Sequence, residues 1–319
     1  MITWVVIFFA IFIGLLILAS VRSYKKQRDS QEFMLAGSSL GVFLGFMTFS
    51  AALFSAFTFQ GMPDFFRIHG VGAWIFLAFS DGLMVFFILW FGSRIRKKAK
   101  EKGFKGVAGL MVDCYGSKWA GYALFLSSFI FLIPYAAIQI RGISVFFDAT
   151  FPNFLPQWGW SVILVGLMIL YAEIGGFKAM VYSDAIQGSI LMIALWLIAF
   201  TCIVKVGGMS EMFQKVKMVN NELLSVPGPQ GLFNWQFLLG SMIAVMMIPV
   251  SQPQLTTRLV VMKNLSSMKR MSYSVGIFAI LIILATVFIG MYGAIKYPNV
   301  SAQIFWRNAL LFDQFAPVA

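Results

Sequence analysis

Long uncharged apolar runs are the feature that most limits how this chain of 319 residues can fold. Sixty per cent of the residues are hydrophobic and 11% are charged, whereas water-soluble domains carry about 25% charged residues. A hydrocarbon core about 30 Å thick is crossed by about 20 apolar residues of helix, and a helix satisfies its own backbone hydrogen bonds in lipid. The runs therefore predict an all-α membrane protein and exclude a soluble enzyme.

Eight of these runs are long enough to be predicted as membrane spans. They lie at about residues 4–21, 40–66, 70–92, 118–147, 158–175, 184–204, 234–257 and 271–295. A ninth run begins near Asn308 and stops at Ala319. We expect all of these spans to form a single transmembrane domain covering residues 1–319.

Basic residues lie in short clusters between the apolar runs and give the chain a net charge of +12. This placement favours the lipid bilayer surface as the partner and argues against nucleic acid. Because cytoplasmic loops carry an excess of Lys and Arg, the clusters predict a multi-pass protein of the plasma (cell) membrane with its N-terminus outside. Cys114 and Cys202 would then lie on opposite sides, too far apart for a disulfide.

The second and seventh spans contain residues that can interrupt a membrane helix. The second ends in SAALFSAFTFQGMP, which fits either a broken helix or an ordinary helix packed through small residues. The seventh contains IPVSQPQLTTR, where Pro249 and Pro253 each remove a backbone donor and favour a discontinuous helix. Interrupted helices in membranes line cavities, so this pair predicts an inverted repeat of five helices with a substrate site between the two breaks.

Two acidic residues lie within or beside the predicted spans. Asp81, inside the third span, either faces a site or is buried in its neutral form against another helix. Asp184, at the start of the sixth span, either caps a helix or serves a site. A membrane enzyme is disfavoured, because the sequence has one histidine, no paired intramembrane acids and no metal motif.

Several motifs, in the same order over nearly the whole chain, resemble those of the sodium:solute symporter family. The longest is GGFKAMVYSDAIQ at residues 175–187, which is similar to the family pattern GG-x-x-A-V-x-x-[ST]-D-x-x-Q. The others are FMLAG at 33–37, GMP at 61–63, VGG at 206–208, and QP at 252–253 followed by Arg258. The resemblance implies a five-plus-five inverted-repeat transporter fold preceded by one extra helix, and sodium-driven uptake of a small solute by alternating access.

The resemblance also implies roles for individual residues. The backbone carbonyls of Ala51 and Phe54 would bind Na⁺ as the coupling ion, since hard cations take oxygen ligands. Asp184 would serve sodium passage or a further sodium site. The positions implied to bind the solute are Ser55, Thr58, Gln60, Ala244, Met247, Ile248 and Gln252.

The branch of the family is indicated by a few departures. Leu53 stands where proline carriers have an aspartate, which argues against proline as the solute. The apolar residues at 244, 247 and 248 differ from the polar and aromatic set of sugar carriers. The Ser- and Ala-rich second span is more similar to carriers of pantothenate and other vitamins.

The length of the chain also departs from the family pattern. The sequence ends where the eighth core helix, which completes the sodium site, would begin. We therefore expect the amino-terminal part of a longer carrier, either as a fragment or as a truncated product, with an incomplete fold. The alternative is a transporter-like membrane sensor or a non-transporting scaffold, which an appended kinase region downstream would indicate.

Overall fold

A computed structural model describes residues 2–24, 39–104, 106–151 and 153–314. In these ranges the regular structure is helical, as predicted, and one isolated parallel bridge joins Leu40 to Met262. The predicted motif at 33–37 lies outside the described residues. Both cysteines are free, as the sequence predicts, with Cys202 buried and Cys114 exposed.

The described α-helices follow the predicted spans in order. They are α1 (Ile2–Tyr24), α2 (Val42–Leu53), α3 (Met62–His69), α4 (Val71–Phe87), α5 (Ser93–Lys102), α6 (Val107–Tyr115), α7 (Lys118–Thr150), α8 (Gln157–Val206), α9 (Met209–Val219), α10 (Trp235–Met246), α11 (Ile248–Ser251), α12 (Pro253–Val260), α13 (Leu265–Lys296) and α14 (Ala302–Arg307). Wider π-helical turns at Phe57–Gly61, Ile88–Gly92 and Asn308–Phe312 precede α3, join α4 to α5, and follow α14.

Membrane-crossing length is met by four helical stretches of the described ranges, Val71–Lys102, Lys118–Asp148, Gln157–Val206 and Leu265–Lys296. A fifth candidate is the pair Val42–Leu53 and Phe57–His69, which is bent by 64°. The lengths and apolar character of these helices therefore suit a bilayer.

Helix α8 contains two of the predicted spans. Its 50 residues would extend about 75 Å at 1.5 Å per residue, far more than one hydrocarbon core. Gly176 interrupts it with φ 58° and ψ −163°, a backbone conformation that is essentially restricted to glycine. The GG motif therefore marks the kink between two helical segments, and the second segment carries Asp184.

Helix α13 is the centre of the packing and contacts α2, α3, α4 and α8. Its closest approach is to α3 at Gly290, where an added Cβ would lie 2.6 Å from the Cβ of Phe66 and 2.7 Å from the carbonyl oxygen of Pro63. A glycine is required there because the two backbones touch. The C-terminal half of the first broken span is thereby fixed to α13.

Arg67, a buried residue of α3, strengthens the same attachment. Its guanidinium donates to Asp64 and to three backbone carbonyls of the turn between α13 and α14, those of Tyr297, Pro298 and Val300. The carbonyl bonds are 2.8, 2.8 and 3.1 Å long. Because charge-assisted bonds are strong, α3 and this turn are held as one unit.

Candidate functional site

The second predicted span is broken, which decides between the two interpretations of its sequence. Helix α2 ends at Leu53, and Phe54 takes an extended conformation with φ −88° and ψ 124°. The chain resumes a helical path at Ala56, in the wider π-helical turn. The side chain of Phe54 is buried, and Thr58 is buried beside the break.

The break releases consecutive backbone carbonyls from the helical ladder. In a continuous helix the amides of residues 55–58 would bond the carbonyls of residues 51–54. Here Ser55 donates its amide to the Thr58 hydroxyl (3.1 Å), Phe57 donates to the Ser55 hydroxyl (3.3 Å), and Thr58 donates to the Ser55 carbonyl (2.9 Å). Among the described residues, no hydrogen-bond donor replaces these amides at Ala51 and Phe54.

Helix α7 supports the break from the side. The Oε1 atom of Gln139 accepts the amide of Ala56 at 2.9 Å. One turn further on, the carbonyl of Gly142 accepts from Nε2 of Gln60 at 3.0 Å. Gln60 is thus hydrogen-bonded to α7 through its amide nitrogen, and Gln139 supplies the acceptor that the opened helix no longer provides.

The seventh predicted span is also discontinuous, as its prolines predict. Helix α10 ends at Met246, the short α11 follows, and Gln252 is extended with φ −97° and ψ 114° before α12 begins at Pro253. The side chain of Gln252 accepts a bond from Gln254 at 2.8 Å. Both proline rings therefore occupy first turns of helices, where the missing N–H causes no loss.

The two broken spans are joined at the same end of the molecule. Leu40, before α2, donates its amide to the Val261 carbonyl (3.3 Å) and accepts from the Lys263 amide (2.9 Å). Around the breaks, Ala52, Leu53, Met246 and Ile248 pack against one buried cluster that contains Phe49 and Leu255. The two interruptions therefore border a common region.

Asp184 is held by an ion pair and does not cap a helix. Its Oδ2 lies 3.0 Å from Nη2 of Arg258 on α12 and accepts from the hydroxyl of Thr48 on α2. Arg258 also donates through Nε to the Thr48 carbonyl and hydroxyl, both at 2.9 Å, and through Nη1 to the Gln254 carbonyl at 2.9 Å. We call Asp184, Arg258 and Thr48 the charged cluster. The capping interpretation of Asp184 is wrong, because helix continues on both sides of it.

The structure separates Asp184 from the released carbonyls. Its partner Thr48 precedes Ala51 by three residues, which is about one helical turn. The charged cluster therefore lies toward the end of α2 that is joined to α12, next to the break and outside it.

The predicted solute residues fall into two groups. Ser55, Thr58 and Gln60 lie at the first break, with hydrogen bonds inside the break or to α7. At the second break, Ile248 and Gln252 are half-buried, whereas Ala244 is exposed and Met247 is 39% exposed. Their binding of a solute stays a prediction.

Asp81 is almost fully buried in the middle of α4, with 5% of its surface exposed. It shares a helix face with Leu77 and Met84, which belong to the clusters around Phe54 and Phe49 respectively. Within the described ranges no hydrogen bond reaches its carboxyl group. The structure therefore shows Asp81 buried against neighbouring helices. Its role in a site stays a prediction.

Sequence reasoning did not assign Thr48 to the site. A threonine in an apolar helix has no distinguishing pattern, and it is joined to partners 136 and 210 residues away. Arg258 was noted only as part of a motif. The signal that could have identified it is a basic residue that directly follows the predicted span at 234–257 and precedes four apolar residues, since a charge beside apolar segments of a membrane protein requires a partner.

Fold and site together define a helical membrane protein with two interrupted helices that meet at their ends. The model of the sodium:solute symporter family matches residues 33–314. The chain belongs to this family.

Two curated relatives and one solved structure illustrate the similarity. The sodium/pantothenate symporter of Haemophilus influenzae is 25% identical, over 89% of this chain and 59% of the relative. A high-affinity proline transporter of Bacillus subtilis is 25% identical, over 67% of this chain and 46% of the relative. A sodium-coupled sialic acid symporter, solved in a substrate-bound outward-open state, matches with TM-score 0.77 and 17% identity, over 93% of this chain and 63% of that one.

The structural match confirms the predicted transporter fold. The chain spans about half the length of the curated relatives. Family and apolar helices make it a multi-pass membrane protein.

Proposed function

We propose that this protein is a sodium-coupled symporter for a small organic solute. The observation that carries the proposal is the release of the carbonyls at residues 51–54 by the first break. Backbone oxygens without hydrogen-bond donors, at a depth where lipid excludes water, are suited to replace the hydration shell of a cation. Such ligands need no buried carboxylate, in keeping with their apolar surroundings.

In this proposal, the carbonyls of Ala51 and Phe54 bind Na⁺, a hard cation that takes oxygen ligands. Asp184 serves a second step, since its carboxylate is already paired with Arg258 at 3.0 Å. A sodium ion that approaches Asp184 competes with that guanidinium. Sodium passage and the opening of the joined ends of α2 and α12 would then be linked through one carboxylate.

The solute is proposed to bind between the breaks. Ser55, Thr58 and Gln60 would contribute hydroxyl and amide groups from the first, and the second would contribute Ala244, Met247, Ile248 and Gln252. The similarity to sodium/pantothenate symporters, together with Leu53 at the position of an aspartate in proline carriers, favours a vitamin-type solute.

The mechanism proposed is alternating access. Sodium can shift the balance between outward and inward states only by its different affinity for them. In this proposal the end closed by the charged cluster and the Leu40–Met262 bridge faces the cytoplasm, and the excess of basic residues in cytoplasmic loops supports a basic helix α5 inside and an N-terminus outside. No catalytic step is part of this function.

The test is uptake of labelled pantothenate and of labelled proline by proteoliposomes containing the protein, over a series of external sodium concentrations balanced with choline. We expect pantothenate uptake to rise with sodium. Uptake that stays flat across the series for both solutes excludes pantothenate and proline as solutes, and a melting temperature that is also equal in sodium and in choline refutes sodium coupling. A parallel thermal melt in sodium or choline reports ion binding without reference to the solute.

Asp184→Asn tests the second sodium step. We expect the sodium concentration for half-maximal uptake or stabilisation to rise about tenfold, a typical coupling between sites. Asp148→Asn is the matched control, because Asp148 is exposed near the end of α7. An unchanged half-saturation in Asp184→Asn contradicts the role of this residue and leaves symport itself intact.

A further inference from the structure

The basic helix α5 carries two kinds of positive charge. Lys98 and Lys102, one turn apart, have their Nζ atoms 3.6 and 3.5 Å from the carboxylate of Asp113 on α6. Arg94, Lys97 and Lys100 form no ion pair with the residues that the structure describes. The helix therefore has one neutralised face and one face of unpaired positive charge.

The unpaired face forms the wall of a surface groove with a volume of about 400 Å³, which we call the basic groove. Its charged lining consists of Arg94, Arg96, Lys97, Lys100 and Glu101. Arg96 is fixed by bonds to the carbonyls of Met262 (2.9 Å) and Lys263 (2.6 Å), so this wall is anchored to the turn before α13. Four cationic groups thus face a space with one carboxylate.

An apolar strip leads directly to the basic groove along the preceding helix. Phe79, Phe86 and Trp90 are exposed by 55, 66 and 55%. Phe79 and Phe86 are seven residues apart on α4 and therefore share one face, and Trp90 follows them in the π-helical turn. The guanidinium of Arg94 lies 4.8 Å from the centre of the Trp90 ring. From Phe79 to Trp90 the strip is about 16 Å long at 1.5 Å per residue, which is about half a hydrocarbon core.

We propose that the basic groove and this strip form a binding site for one anionic phospholipid, such as phosphatidylglycerol. The phosphate would lie among Arg94, Lys97 and Lys100, and an acyl chain would follow Trp90 and Phe86. Clusters of basic residues beside a membrane helix bind anionic headgroups. The apolar strip favours a lipid over a soluble phosphate ester, because a soluble ester has no acyl chain to cover these exposed aromatic side chains.

The test uses Trp90 as its own reporter in vesicles of phosphatidylcholine that contain brominated phosphatidylglycerol or brominated phosphatidylcholine. Subtracting the fluorescence of Trp90→Phe isolates the quenching at this position. We expect a clear preference for phosphatidylglycerol in the unmodified chain. Each cationic group near an anionic lipid contributes roughly fivefold, so Arg94→Gln/Lys97→Gln should reduce the preference by about 5- to 25-fold.

Two controls distinguish the loss of positive charge in general from its loss in the basic groove. Lys118→Gln/Lys178→Gln removes the same charge outside the groove and should keep the preference. Arg94→Lys/Lys97→Arg keeps the charge inside the groove and should keep most of the preference. Equal quenching by both lipids in the unmodified chain overturns the proposal. It is also overturned if both glutamine variants lose the preference equally, or if soluble glycerol phosphate displaces the brominated lipid.

Discussion

The charged cluster makes a quantitative prediction about how the two broken spans are held together. Asp184→Asn and Arg258→Gln each remove one member of the pair at 3.0 Å, and the double variant removes both. Both side chains are mostly buried, with 18 and 9% of their surfaces exposed. A buried charge that loses its partner is strongly destabilising.

The expected magnitudes follow from the bonds present. Arg258 makes four hydrogen bonds in the cluster and to Gln254, and one of them joins the Asp184 carboxylate. Breaking a mostly buried pair costs about 3 kcal/mol in each single variant, and a bond to a charged group contributes about 2 kcal/mol. The double variant should therefore lose about 2 kcal/mol less than the sum of the single losses.

Reversible unfolding in mixed detergent micelles measures the free energy of unfolding for the four proteins of this cycle. The control cycle uses Glu211→Gln and Lys215→Gln, whose 2.8 Å pair on α9 is about half exposed. We expect a coupling of about 0.3–0.5 kcal/mol there. A coupling below about 0.5 kcal/mol at Asp184 and Arg258 would mean that the ion pair does not hold the two spans together.

Three further predictions concern the packing that supports the breaks. Gly290→Ala should lower the free energy of unfolding by about 1–3 kcal/mol through overpacking. Gly166→Ala is the control and should not lower it, because an added Cβ at Gly166 meets open space. Equal thermal melts of the two variants would contradict the close contact of α3 with α13. Gly176→Ala should destabilise by about 1–3 kcal/mol because its backbone conformation is restricted to glycine, and a melt unchanged from the parent would be inconsistent with the bend. Arg67→Met leaves three carbonyls unbonded and should cost about 3 kcal/mol, with faster proteolysis after α13 as the readout; an unchanged cleavage rate would argue against the attachment.

Local sequence signals predicted the order of the long helices and one of the two breaks. Membrane helices can be recognised by apolar length alone: α7 begins at the predicted residue and ends three residues beyond the predicted bound, whereas α13 begins six residues before its predicted start. Pro249 and Pro253 predicted the second break because a missing N–H acts at its own position in the chain. The GG motif predicted membership of the family and also contains Gly176, the bend in α8.

The first break was left open by its sequence, because it contains no proline before Pro63. Its stability depends on acceptors for the amides that the helix releases. One acceptor is local, the Thr58 hydroxyl. Another is Gln139, which is 83 residues from Ala56 and belongs to α7.

The amino-acid sequence by itself determined that this chain crosses a membrane as helices, roughly where each helix lies, and which family it belongs to, because apolar length, prolines and glycines act within a few residues. Only the tertiary structure decided that the second span opens at Phe54 and that Asp184 pairs with Arg258 and Thr48. These contacts join residues 74 to 210 positions apart, and the favourable partner of a polar group in lipid is set by which helices pack side by side.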